Sequence, residues 1–183
     1  MASSSRSSDP RRLDVAALAA ASAELAGEWP LHGFARLAGA TLPAPPGSIV
    51  GWKARGERAM LVGAGVRPAL AIDAAAEVTL ECQRCLQPMQ LPLTVSRRIF
   101  FVDGEEAAAA LDLDSDDDVL ALPPTLDLHQ LVEDELLLAL PVVPRHEVCA
   151  VPLSVAGSDD AAEAVQEHPF AALAALKRGP RLN

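Results

Sequence analysis

The chain has no tyrosine, two tryptophans and four phenylalanines, so aromatics make up only 3% of its 183 residues. A stacking platform for nucleobases is therefore not expected, and the core has to come mainly from Leu and Val. No apolar run approaches the roughly 18 residues that a membrane helix needs. The opening "MASSSRSSDPRRLD" has neither the apolar stretch nor the small-residue cleavage site of a secretory signal. Three cysteines are an odd number, which does not suit a secreted disulfide framework. A cytoplasmic, reduced protein with no membrane segment is expected. The missing cations are equally informative. Residues 99–144 hold 12 Asp/Glu and no Lys or Arg, whereas residues 1–98 hold 11 Lys/Arg against 8 Asp/Glu. The net charge of −10 is thus an acidic block behind a mildly basic first half. Such asymmetry is compatible with nucleic acid on one face and a basic protein on another.

Catalytic apparatus is also lacking. "GAGVRP" at 63–68 has no Lys-Ser/Thr and no third glycine at the offset a phosphate loop requires. "DLDSDDD" at 112–118 lacks the glycine and terminal Glu of a calcium loop. His32 and His129 stand alone and read as surface residues. The cluster Glu133, Asp134 and Glu135 has no partner base, so it suggests a partner-binding surface rather than acid–base chemistry. No enzyme is expected. The rival reading, a zinc- or thiol-dependent enzyme acting on RNA or protein, needs a convergent acid, base or nucleophile, and the sequence offers none. A pure protein-interaction adaptor working through the acidic helix is a further alternative.

What is present reads as α+β: an antiparallel, partly barrel-like sheet over about residues 30–102, flanked by one main amphipathic helix, with small terminal helices. Residues 1–12 are expected to be a disordered arm, 13–150 one domain, and 151–183 a linker ending in a short helix. "LDVAALAAASAELA" (13–26) has helical spacing with Gly27 as a natural stop. Residues 48–73 read as a meander turning near Gly56–Arg58. "AAEVTLEC" alternates as a strand, and "MQLPLTVSRRIFFV" is a second. Residues 103–124, acidic and alanine-rich, read as a solvated loop. The clearest helix spans 127–140: Asp127 as N-cap, Leu128, Leu131, Val132 and Leu136 on one face, His129, Gln130, Glu133 and Asp134 turned away, and Pro141 as the stop. Lys53, Arg55, Arg58, Arg84, Arg97 and Arg98 lie on or beside these strands and would form a phosphate-contacting, RNA-binding patch if they share a face.

The motif with most chemistry is "CQRC" at 82–85. A redox pair would need a helix directly after it to lower the first thiol's pKa, and Pro88 and a strand stand there instead. A zinc knuckle would use a hairpin turn to aim Cys82 and Cys85 at one ion, with His146 and Cys149 of "HEVC" completing a set of three thiolates and one imidazole. The third possibility is two small buried residues with no metal. Spacing alone leaves zinc and the metal-free core both open.

Taken together, "LECQRCLQPMQLPL", "DLHQLVEDELLLALPVVPRH", the nearby cysteine and the ending "HPFAALAALKR" resemble the YceD family of large ribosomal RNA subunit accumulation proteins, from Val78 to Arg178. The resemblance implies a bacterial, cytoplasmic, non-enzymatic protein needed for accumulation of large-subunit (23S) ribosomal RNA. Implied partners are that RNA, a precursor particle or a basic large-subunit ribosomal protein. Some relatives carry a further cysteine pair after the "LALP" helix, whereas this chain has only Cys149 after Pro144, with His146 as the remaining candidate ligand.

Overall fold

A computed structural model of the chain describes residues 9–149. Its frame is a meander of three long strands, β2 (Ile49–Leu61), β3 (Gly65–Glu81) and β4 (Pro88–Val102), in which apolar and polar residues alternate with the period of two that a pleated strand imposes. β1 (Glu24–Pro30) pairs antiparallel with β2 at one edge, and β5 (Asp118–Ala121) pairs with β4 at the other. The strand order β1-β2-β3-β4-β5 runs straight across. The sheet is therefore open, not barrel-like, and because β5 runs parallel to β4 it is mixed, not antiparallel.

The inner face carries Val50, Trp52, Ala54, Leu70, Ile72 and Ile99. They pack with Val15 and Leu18 of α1 (Val15–Ala21), Leu37 of α2 (Ala35–Ala40) and Leu128, Val132 and Leu136 of α4 (Leu128–Leu138). Asp127 caps α4, accepting from Gln130 N at 3.1 Å, as its position before the apolar face predicts. On the outer face Leu61, Ala69, Phe100, Val102 and Val119 make a second, smaller core with Ala108 of α3 (Glu105–Asp112). Residues 103–124, expected to be a loop, thus supply a helix and a strand. Ala108 is the buried residue of α3, and it packs in this core with Val119 of β5. Among the described residues, no helix is long and apolar enough to cross a membrane.

Two glycines explain where the expected boundaries moved. The first helix is seven residues, not fourteen, because Ser22 turns left-handed (φ 48°) and residues 24–30 alternate as a strand. Gly27 lies within that strand, where a Cβ would sit 2.9 Å from the Trp52 ring. Gly56 is no turn: it pairs with Leu70 mid-strand, and a Cβ there would lie 2.5 Å from the carbonyl carbon of Leu18. It is the point where the end of α1 rests on the sheet. The β2–β3 turn comes later, at Val62–Ala64, with Gly63 and Gly65 at φ 81° and 77°. Residues 10–12, assigned to a disordered arm, form a 3-10 turn capped by Asp9. Leu13 exchanges two backbone hydrogen bonds with Leu126, both 2.9 Å. The expected C-terminal linker and helix, and residues 1–8, lie outside the described residues.

Candidate metal centre

β3 ends at Glu81 and β4 begins at Pro88, so Cys82–Gln87 must reverse the chain in six residues. The reversal is held by Cys82 N donating to Gln87 O (3.0 Å) and Leu86 N donating to Cys82 O (2.8 Å). Leu86 closes it in the left-handed region (φ 58°), an uncommon conformation for a leucine that the surrounding bonds impose. Both thiols are thereby turned inward and buried. After α4, Pro141 stops the helix and residues 140–149 return as a strap across this knuckle. Gln83 N donates to Pro144 O at 2.8 Å, and His146 N donates to Cys82 Sγ at 3.4 Å. Cys82 Sγ lies 3.8 Å from Cys149 Sγ, and Cys85 Sγ lies 3.4 Å from His146 Nδ1.

The ligand atoms of Cys82, Cys85, His146 and Cys149 all lie within 4.8 Å of one another. Tetrahedral zinc with Zn–S near 2.3 Å and Zn–N near 2.0 Å places two sulfurs about 3.8 Å apart and a sulfur and a nitrogen about 3.5 Å apart. The observed 3.8 and 3.4 Å fit that geometry. Burial opposes charge on Cys82, yet the amide N–H groups of His146, Arg84 and Cys85 outweigh it and hold the thiol down to about 5. For Cys85 the Gln87 amide favours the thiolate, but burial and the neighbouring Cys149 and Cys82 push it up. A metal bound here would take the place of any thiol proton that remained.

The six cations expected to share an RNA-binding face do not. Strand alternation sends Arg97 and Arg98 to opposite sides. Arg97 is on the inner side, 3.4 Å from Glu135, while Arg98 is on the outer side, 2.7 Å from Asp117 and over the Phe100 ring. Lys53 and Arg55 are on the outer face, paired with Glu24 (3.0 Å) and Glu57 (3.4 Å). Arg58 lies toward the β2–β3 turn, with no ion pair among the described residues. Arg84 turns onto the strap. Two rows cross the outer face, Glu24–Arg55–Ala71–Arg98 and Ala26–Lys53–Asp73–Ser96, and their charges nearly cancel.

Glu133, expected to turn away from the packed face of α4, is buried instead. Glu133 and Glu135 are 7% and 9% exposed. Glu133 accepts from the amides of Arg36 (2.7 Å) and Leu37 (3.2 Å) and from the Arg36 side chain (3.0 and 3.1 Å). It is the N-terminal cap of α2, which has no side-chain cap of its own. Burial raises the Glu133 carboxyl, but these donors outweigh it and lower it. Burial raises Glu135 above the usual range despite Arg97. Asp134 meets Arg36 and stays partly exposed. His129 is no surface residue: it stacks on Phe34 at 4.1 Å with Trp29 edge-on at 4.9 Å. Sequence reasoning gave no role to Arg36 or to the Pro144 carbonyl, and nothing local marks either.

No solved structure shows a significant match to the chain. The family model described as "Large ribosomal RNA subunit accumulation protein YceD" matches residues 70–177, more than half the chain. The matched span begins in β3 and includes the knuckle, α4 and the strap. The chain therefore belongs to the YceD family, whose name assigns it a role in accumulation of large-subunit ribosomal RNA.

Proposed function

We propose that this protein is a non-enzymatic, cytoplasmic factor in large ribosomal subunit biogenesis, and that the knuckle and strap form a structural zinc centre. The family match over residues 70–177 supports the role in large-subunit biogenesis. The second is supported by the donor set: Cys82, Cys85, Cys149 and His146 supply four protein ligands, which leaves no coordination position for a substrate or a reactive water. Zinc bound there would fix the strap, and with it the end of α4, to the β3–β4 turn.

For the direct partner, the charge distribution favours a basic large-subunit ribosomal protein. Residues 103–118 carry eight Asp/Glu and no Lys or Arg. Among the described residues only Asp112 and Asp117 of these have side-chain partners. The cations proposed for ribosomal RNA (Lys53, Arg55, Arg58, Arg84, Arg97 and Arg98) are dispersed and mostly paired, so RNA contact through them is the second choice. Of the acidic residues proposed on α4, only Asp134 remains accessible to a partner.

Capture of the tagged full chain from growing cells at low and moderate salt, with RNA, protein and zinc measured on one sample, tests this reading. Recovery of large-subunit proteins, lost as salt rises, supports it. Recovery of ribosomal RNA without a basic protein moves the contact to RNA, and recovery of neither removes direct binding. About one zinc per chain, lost in Cys82→Ser, supports the structural centre.

A further inference from the structure

Arg84 sits between the two cysteines of the knuckle, yet its side chain ends on the strap. Nε donates to Cys149 Sγ at 3.0 Å, and Nη2 donates to His146 O at 2.8 Å and Glu147 O at 3.2 Å. One planar group thus engages three acceptors within four residues, two of them in residues that belong to the candidate ligand set. Cys149 is also the most accessible of the three sulfurs, since Cys82 and Cys85 are buried and Cys149 is half-buried. The electrostatics point the same way. A divalent zinc held by three thiolates and a neutral imidazole carries a formal charge of −1, and a half-buried anion of that kind needs a nearby cation. Arginine is protonated at any working pH and delivers its donors in a fixed fork, which a lysine cannot copy.

We propose that Arg84 is the positioning residue of this centre: it registers the strap against the knuckle and supplies the counter-charge that a three-thiolate, one-imidazole site lacks. The proposal rests on the zinc reading above. An N–H bond to Cys149 withdraws electron density from that sulfur, so Arg84 makes the half-buried thiolate a poorer nucleophile and a slower point of metal loss. The arginine of "CQRC" is thereby assigned to the centre rather than to a phosphate.

The test compares the full-length wild type with Arg84→Gln and Arg84→Lys. Three quantities are read: zinc transfer to a chromophoric chelator, the order in which the cysteines react with N-ethylmaleimide, and the thiolate-to-metal charge-transfer band of the cobalt-substituted chain. Arg84→Gln is expected to transfer zinc about tenfold faster or more, the usual size of an outer-sphere effect. In it Cys149 becomes the first cysteine alkylated and the charge-transfer band moves to lower energy. Arg84→Lys, which keeps the charge and loses the fork, falls between. A loss of packing alone would not shift that band. Equal transfer rates, alkylation order and spectra in all three chains overturn the proposal. If the wild type holds neither zinc nor cobalt, the zinc reading fails separately, and the metal-free alkylation decides the rest. A rate of Cys149 modification in Arg84→Gln that differs from the wild type's keeps the strap contact, and equal rates remove it.

Discussion

Two stretches of this molecule are acidic, and they use their carboxylates in opposite ways. On α4, Glu133 is driven against the start of α2, where two amides and an arginine hold it, and Glu135 is buried beside Arg97. Along 103–118 most carboxylates have no partner among the described residues. The two stretches look alike in composition. They differ because α4 is packed against the sheet and α2, so its carboxylates need internal donors, while α3 and the approach to β5 offer water to theirs.

The strongest way to break this contrast is Glu133→Ala. It leaves the amides of Arg36 and Leu37 unmatched in a part-buried site, while the Arg36 side chain keeps Asp134, and it is expected to cost about 1–3 kcal/mol in urea unfolding. A loss below about 1 kcal/mol would show that α2 needs no cap from α4.

A pH series separates the two glutamates of one helix. Glu133 is lowered in the folded state, so its stabilisation is complete above the unfolded value near 4.5 and is lost as pH falls through the folded value. Glu135 is raised, so its contribution is present below about 4.5 and is lost as pH rises through its folded value. Glu133→Gln should therefore flatten the acid side of the stability profile. Glu135→Gln should instead leave stability near pH 7 unchanged or slightly higher. Two superimposable profiles would contradict the difference in environment. Smallest of all should be Asp114→Asn with Asp116→Asn, which should change unfolding stability by no more than about 0.5 kcal/mol while weakening capture of a basic partner. A larger stability change would mean these carboxylates also hold the fold.

Much of the framework was legible. Period-two alternation marked the long strands, Asp127 marked the start of α4, and Pro88 marked the knuckle as a turn. The four candidate ligands could be named from two short motifs, because each pair keeps its spacing whatever the fold. What sequence could not give was whether the pairs meet, since that depends on how α4 crosses the sheet. The cap on α2 was illegible for the same reason: Glu133 and Arg36 are 97 residues apart. Gly56 misled because a glycine demanded by the close approach of a helix looks like a glycine demanded by a turn. The acidic, alanine-rich stretch misled because its polarity concealed two short elements whose burial rests on Ala108 and Val119. Arg97 and Arg98 carry a different lesson. Strand alternation alone places neighbours on opposite faces, so a shared patch was never open to both.

The strap has a further consequence for how the chain is tied together. Cys82 and Cys149 are 67 residues apart, and a metal gripping both would close a ring that contains β4, α3, β5 and α4. By the loop-entropy relation used for disulfides, a ring of that size disfavours the unfolded chain by about 4 kcal/mol. Such a knot could be drawn only once α4 had delivered the strap to the knuckle, so it would act as a latch on an assembled domain.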